Sequence, residues 1–145
     1  MSGAAEMSRQ GDVRDLASAR AYVTRMLDNP DLRTLVAADD ADRLIAFAAV
    51  SVDRANANGW VFYWAHADAR RRGVTSKLVR ALADRELAEG GLYRLELGYR
   101  VNNPGSSAVA RAAGFVQEGL EREKFLVNGE RVDVVTAARL RTDPA

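Results

Sequence analysis

A run of three arginines and a glycine, residues 70–73, lies between an apolar segment and an amphipathic one. The apolar segment, Trp60 to Ala65, has the length of a strand, and apolar residues recur at i, i+4, i+7 and i+8 from Val74, which predicts a helix. A turn at that junction presents backbone N–H groups and the positive end of the helix dipole, and Gly73 lets a ligand approach the backbone closely. These are the requirements of a pyrophosphate-binding turn. The alternative is an arginine-rich turn that is simply solvated.

The spacing Arg70-x-x-Gly73-x-Thr75 resembles the acyl-CoA-binding motif of the GNAT acetyltransferase superfamily, Arg/Gln-x-x-Gly-x-Gly/Ala, with a Thr where the family usually has Gly or Ala. A segment further along the chain resembles the second GNAT signature, in which an Asn follows a strand and Gly-Phe closes the next helix. Asn103 and Ser106 fall on the Asn-x-x-Ser positions of the branch that acetylates protein N-termini, the RimJ/RimL type.

The resemblance to this branch covers roughly Leu44 to Asp143, including Asn128-Gly129 and Asp133 in the tail. It implies an N-acyltransferase that moves an acetyl group from acetyl-CoA, or another acyl-CoA, to a primary amine by direct transfer in a ternary complex. The acceptor would be a protein N-terminal α-amine or a small-molecule amine, and no metal takes part. The implied acyl-CoA-binding residues are Ala65, His66, Arg70, Arg71, Arg72, Gly73, Val74, Thr75, Ser76, Asn103 and Ser106.

Four groups in this set have implied roles. Backbone N–H groups of Arg71–Ser76 would bind the pyrophosphate, and a backbone N–H near His66, where the strand splays from its neighbour, would polarise the thioester carbonyl. Asn103 would bind the pantetheine arm or order the site. Ser106 would lie near the sulfur and protonate the leaving thiolate, directly or through water, although its place after a Pro-Gly pair equally suits a helix N-cap.

The acid and base that many family members use are both replaced in this chain. The Glu of the central strand falls at Trp60, and the Tyr that serves as general acid falls at Ala110. We therefore name Ser106 and His66 as the candidate catalytic residues. His66 is the only histidine and suits a base, although a single His at a strand end is more often a hydrogen-bonded structural residue. The rival interpretation is a non-catalytic acyl-CoA-binding module with degenerate acid and base residues.

The missing base indicates which amine the protein would accept. Deprotonating a lysine amine of pKa about 10.4 at pH 7 costs roughly 4–5 kcal/mol, whereas an α-amine of pKa about 7.8 costs roughly 1 kcal/mol. A site without a strong base therefore favours an N-terminal α-amine or another weakly basic amine.

Composition disfavours several classes of protein. The 145 residues, with 48% hydrophobic and 28% charged residues, are typical of one globular domain, and a net charge of +1 gives no global field for nucleic acid or an anionic membrane. The absence of cysteine and the single histidine leave no disulfide, thiolate or transition-metal site. The chain start lacks the regions of a signal peptide, so the expected compartment is the cytoplasm. Neither glycine-rich phosphate motif occurs, which disfavours a nucleotide-binding protein of unrelated fold.

The elements that would position these residues follow from periodicity and turn residues. Residues 1–15 are predicted as a flexible tail and 16–145 as a single GNAT-like domain. The fold class is α/β (α+β), a mixed, mostly antiparallel sheet flanked by helices in three α/β/α layers. Asn128-Gly129 predicts a hairpin. The predicted helices are 17–27, 74–88 and 106–113, and the predicted strands before the hairpin are 32–38, 44–52, 60–65 and 93–101.

Two groups of side chains are assigned to packing or to solvent. Large aromatic residues on a strand pack more often than they stack on a substrate, and charges on a helix usually face water. The aromatic residues are Trp60, Tyr63 and Trp64, and the charges expected on a solvated helix face are Arg80, Asp84, Arg85 and Glu86.

The resemblance also predicts a domain shortened at its N-terminus. GNAT domains normally open with a strand and a helix ahead of the region that begins here near Ala17. An exposed sheet edge would then be an aggregation liability, and a homodimer that covers the edge is one arrangement that the sequence allows.

Overall fold

The structure is a computed structural model that describes Thr24, residues 28–67 and residues 73–144. The order of its elements, β-β-β-α-β-α-β-β, is the predicted order. The predicted tail and the helix predicted at 17–27 lie outside the described residues, apart from Thr24. The strands are β1 Leu32–Ala38, β2 Leu44–Asp53, β3 Asn58–Ala65, β4 Arg94–Arg100, β5 Val116–Val127 and β6 Glu130–Leu140, and the helices are α1 Val74–Ala88 and α2 Pro104–Ala112.

The six described strands form one sheet in the order β1-β2-β3-β4-β6-β5. Neighbouring strands are antiparallel except β3 and β4, which are parallel, and this confirms the predicted mixed, mostly antiparallel sheet. Asn128 (φ 51°) and Gly129 (φ 82°) make the predicted hairpin between β5 and β6. Both residues adopt the positive φ that a tight two-residue turn requires, which is why the Asn-Gly pair predicted it.

The two described helices, α1 and α2, pack on one face of this sheet. Leu82 of α1 and Val109 of α2 are buried with the strand residues Val50, Leu95 and Leu97. Each large aliphatic side chain removed from water contributes about 1.5–3 kcal/mol, so this cluster is the main core of the described chain. Among the described residues, no helix is long and apolar enough to cross a membrane.

Glu86 lies on the buried face of α1, so its assignment to a solvated face was wrong. The residue is 2% exposed, and its carboxylate accepts hydrogen bonds from Arg33 Nη1 on β1 at 2.5 Å and from Arg85 Nε at 2.9 Å. Arg33 Nη1 also donates to the Gly90 carbonyl at 2.7 Å, just after the end of α1. The negative charge of Glu86 is compensated by Arg33, which lies on a strand 53 positions earlier in the chain. The helical periodicity around Glu86 could not indicate such a distant partner.

Glu86→Gln is expected to lower the free energy of unfolding by about 1–2 kcal/mol, because neutral hydrogen bonds replace charge-assisted ones and the new amide N–H₂ faces an arginine. Urea unfolding measures the change. Glu121→Gln is the control, since Glu121 makes an exposed ion pair with Lys124 at 2.8 Å and should matter by less than about 0.5 kcal/mol. Equal losses of unfolding free energy in the two variants would contradict the expectation that the buried Glu86 contributes more to stability than the exposed Glu121.

The opposite face of the sheet carries an aromatic cluster. Phe47 is buried, stacks on Trp64 with ring centroids 6.1 Å apart and meets Phe62 edge-on at 6.4 Å. This is the packing role predicted for Trp64. The second helix layer of the predicted α/β/α arrangement would have to come from residues outside the described ranges, so the third layer stays a prediction.

Candidate functional site

The two central strands part at Trp60 and Glu96. β3 and β4 are paired only at Asn58–Arg94, Gly59–Leu95 and Trp60–Glu96. Beyond these pairs β3 stays bonded to β2 as far as Ala65, and β4 stays bonded to β6 as far as its last residue. Because both outer ladders continue, the sheet opens into a gap between the carboxyl ends of β3 and β4.

Backbone groups of β3 line one side of this gap. The His66 N–H donates to the Ile45 carbonyl at 2.7 Å, on the β2 side. Groups alternate in direction along an antiparallel ladder, so the N–H and C=O groups of Ala65 and Tyr63 are directed toward β4. A carbonyl-polarising N–H is expected in this region. The backbone groups directed toward the gap are those of Ala65 and Tyr63, whereas the N–H of His66 is directed toward β2. The His66 ring meets Trp64 edge-on at 6.2 Å.

Gly73 directly precedes helix α1, the element that follows β3 along the chain. This residue is the N-cap with φ 73°, and a Cβ added there would meet nothing within 4 Å. No described side chain caps the helix, and no acidic residue lies in its first turn. The backbone N–H groups of Val74, Thr75 and Ser76 therefore form a helix start that suits an anion. Arg70, Arg71 and Arg72 lie outside the described residues, and their predicted contacts stay a prediction.

Asn103 and Ser106 lie across the gap from β3, just after the end of β4. Helix α2 starts at Pro104, two residues before its predicted start, and Asn103 is its N-cap. The Asn103 Oδ1 accepts the Ser106 N–H at 3.1 Å, so the alternative in which Ser106 is the N-cap was wrong. Asn103 thus caps α2, and Ser106 lies half-buried in its first turn, while the roles predicted for both residues toward acyl-CoA stay predictions.

Trp60 lies at the closed end of the gap and is 44% exposed. Its ring extends over β4, since a Cβ at Gly98 would lie 3.3 Å from Trp60 Cη2. An open cavity of about 230 Å³ adjoins it and is lined by residues of β2, β3 and β4, among them the carboxylates Asp53 and Glu96. The prediction that Trp60, Tyr63 and Trp64 serve in packing therefore holds only in part for Trp60, because its side chain is partly exposed.

The model of the acetyltransferase (GNAT) family matches residues 6–115. The chain belongs to this family. A ribosomal-protein-serine acetyltransferase from Escherichia coli (strain K12) is 29% identical over 89 residues, which are 61% of this chain and 50% of that protein. The chain thus spans about half the length of that relative.

Solved GNAT-like structures confirm the fold. A ribosomal-protein-S5-alanine acetyltransferase from Vibrio fischeri superposes with a TM-score of 0.76 at 20% identity, over 90% of this chain and 78% of that one. A variant of the spermidine N-acetyltransferase SpeG from Vibrio cholerae gives a TM-score of 0.76 at 18% identity, with the same coverage of both chains. At these identities the likeness concerns the architecture.

Two charged positions of this GNAT protein were not among the predicted site residues. Glu96 neighbours Trp60 across the last β3–β4 pair and accepts from Arg94 Nε at 2.7 Å. Arg94 also binds Glu118 through both terminal nitrogens, and this pairing lowers the pKa of Glu118 below its usual range. The second position is Arg100, at the other end of β4. The sequence pattern offers one signal for both residues, since charges on a central strand need compensation.

Proposed function

We propose that this GNAT protein is an N-acetyltransferase that moves an acetyl group from acetyl-CoA to a primary amine, either a protein N-terminal α-amine or a small-molecule amine. The observation that carries the proposal is that β3 and β4 part at the end of the sheet where β3 leads into α1. It brings strand backbone groups for an extended ligand arm and a helix start for phosphates to the same edge of the sheet. The names of the similar proteins, which specify ribosomal proteins and spermidine, support an amine acceptor.

The residues around the gap fit an acyl-CoA thioester as the acyl donor. The part of β3 beyond Trp60 would lie along the pantetheine arm, and a backbone N–H near His66 would polarise the carbonyl. The first turn of α1 after Gly73 would hold the pyrophosphate, together with the predicted arginines. Asn103 would keep the start of α2 in place beside the thioester, with Ser106 near the sulfur.

Transfer would be direct, since the sequence has neither a cysteine nor the Gly-x-Ser-x-Gly motif of an activated serine on which a covalent acyl-enzyme could form. The amine nitrogen bonds to the carbonyl carbon, and the carbon–sulfur bond breaks with its electron pair going to sulfur. Ser106, directly or through water, supplies the proton that sulfur takes up, and the nitrogen loses one to solvent or to His66. Each proton gained is matched by one lost, and no metal is required.

Gly73→Glu is expected to weaken acetyl-CoA binding at least about 30-fold, because a carboxylate at the helix start repels the pyrophosphate by roughly 2 kcal/mol or more. Isothermal titration of acetyl-CoA and CoA into the purified protein measures this.

Gly91→Glu is the matched control for that experiment. Gly91 lies past the other end of α1, also has a positive φ (80°) and also has open space around its Cβ position. The two variants therefore carry the same charge and similar backbone strain. Loss of binding in Gly73→Glu alone supports the site, whereas no binding by the folded wild-type protein would end the acetyltransferase proposal.

The second candidate function is an acyl-CoA-binding module without catalysis. It is favoured by one specific observation, that the two positions of the usual base and acid hold Trp60 and the buried Ala110. Ala110 is part of the main core, so no side chain from that position reaches the gap. Release of CoA in the presence of amine peptides distinguishes the enzyme from the module, since both would bind acetyl-CoA.

A further inference from the structure

Arg100 is a buried arginine without a carboxylate partner among residues 28–67 and 73–144. It is 4% exposed, its Nε is buried without a hydrogen-bond partner, and no ion pair of its guanidinium occurs within the part of the chain that the structure describes. Burial lowers the pKa of Arg100, yet a guanidinium stays charged at neutral pH. No carboxylate among the described residues therefore offsets the cost of desolvating this positive charge.

The contrast with Arg139 shows that this state is not general in the fold. Arg139 is also buried and its Nε likewise has no hydrogen-bond partner, but its terminal nitrogens donate to Asp84 Oδ1 at 2.7 Å and to the Ala113 carbonyl at 3.0 Å. Both of its terminal nitrogens therefore have acceptors, one of them a carboxylate. Among the described residues the guanidinium of Arg100 has no carboxylate partner and its Nε has no acceptor, so a carboxylate from outside these residues would compensate its charge.

Arg100 lies at the open end of the gap. It is the last residue of β4, and by alternation it shares a face with Glu96, Gly98 and Trp60. Its own carbonyl accepts the Asn103 N–H at 3.0 Å, which ties it to the start of α2. At about 3.3 Å per residue, Arg100 is separated from Glu96 by roughly 13 Å of strand. The gap thus has carboxylates at its closed end and one uncompensated cation at its open end.

We propose that Arg100 binds a carboxylate carried by one of the two substrates of the transfer. The proposal rests on the proposed function, because it assigns the carboxylate to an acyl-transfer substrate. A guanidinium offers two parallel N–H donors that match a carboxylate, and binding would supply the acceptor that the described residues do not provide. The carboxylate has two sources, an acidic group close to the amine of the acceptor or the far end of a dicarboxylic acyl group.

The first test concerns binding and does not require turnover. The Arg100 Nε–H signal in nitrogen–proton NMR spectra is assigned by its absence in Arg100→Met. Sodium succinate is the probe, with succinamide and sodium chloride at equal ionic strength as controls. We expect succinate alone to shift the signal and to bind wild type at least about 10-fold more tightly than Arg100→Met. A signal that ignores succinate, or moves equally with the controls, overturns the proposal.

Stability separates a binding role from a structural one. Removal of a buried charge that has no partner should leave unfolding by urea unchanged or shift it to higher concentration, so Arg100→Met should be at least as stable as wild type. Arg131→Met, at an exposed position of β6, controls for the loss of an arginine as such. A marked loss of stability confined to Arg100→Met would make Arg100 a structural residue and overturn the proposal.

Turnover identifies the source of the carboxylate. Release of CoA is compared for the tripeptide amides Ala-Glu-Ala and Ala-Gln-Ala with acetyl-CoA, and for acetyl-CoA and succinyl-CoA with Ala-Gln-Ala. We expect one pair to favour its carboxylate member by at least about 10-fold in kcat/KM and to lose that preference in Arg100→Met. Equal rates throughout overturn the carboxylate role and leave acyl transfer intact. No release of CoA with a retained succinate response overturns the transfer and leaves the binding site.

Discussion

At pH 7 the protein is expected to acetylate an N-terminal α-amine about 400-fold faster, in kcat/KM, than a lysine side chain, because deprotonating the lysine costs roughly 3.5 kcal/mol more. The expectation depends on the closed end of the gap, where Trp60 occupies the position of the usual base. A peptide with a free N-terminus and no lysine is compared with the same peptide Nα-acetylated and carrying one lysine. The α-amine rate should level off above pH about 8, whereas the lysine rate should rise to pH about 10.

Trp60→Glu should narrow this discrimination. A carboxylate at the closed end of the gap would act as a base, and we expect the lysine rate to rise about 100-fold. Glu96 is adjacent across the strand pair, and its charge would raise the pKa of the new carboxylate toward the range of an effective base. Trp60→Gln is the matched control, because it removes the same indole ring without adding a base.

A carboxylate that is already present beside Trp60 gives the test that could contradict this argument. Glu96 lies beside Trp60, although it is already bonded to Arg94 at 2.7 Å. If Glu96→Gln removed activity toward both amines, Glu96 would be the base and the argument from a missing base would be wrong. Equal wild-type rates for the two amines would also contradict the argument from a missing base.

Local signals in the sequence predicted most element bounds. Helix α1 ends where predicted because Gly91 adopts a positive φ after it, and the Asn128-Gly129 turn formed because only such residues accept its dihedral angles. The start of α2 was predictable too, since proline is favoured at the first helical position and Pro104 therefore makes the preceding Asn103 the cap. Pro104 was therefore a stronger indication of where α2 begins than the possible capping hydroxyl of Ser106.

Long-range compensation was beyond the reach of pattern arguments. Glu86, Arg100 and Arg139 are all charged residues at buried positions, and period-based reasoning assigns a charge to solvent. Whether such a residue is paired depends on strands and helices distant in the sequence. The gap between β3 and β4 is similar, because nothing in either strand's own alternation marks where their pairing stops. It was expected from the family resemblance alone.

Asp84→Ala is expected to lower the free energy of unfolding by about 1–2 kcal/mol, because it leaves the buried guanidinium of Arg139 without its half-exposed carboxylate partner. The Arg139 side chain is 7% exposed, and the pair joins β6 to α1 at 2.7 Å. Its other terminal nitrogen donates to the Ala113 carbonyl at the end of α2, so one side chain connects both helices to the sheet. Urea unfolding of the two proteins measures the loss.

The double variant Asp84→Ala/Arg139→Leu distinguishes an unpaired charge from lost helix packing. If the cost comes from the buried charge, replacing Arg139 as well should restore at least half of the stability, as removal of whole buried pairs commonly does. If the double variant is as unstable as Asp84→Ala or worse, the hydrogen bond to Ala113 holds α2 in place and the charge is secondary. In that case acetyl-CoA affinity should fall with stability, because α2 carries Asn103 at its other end.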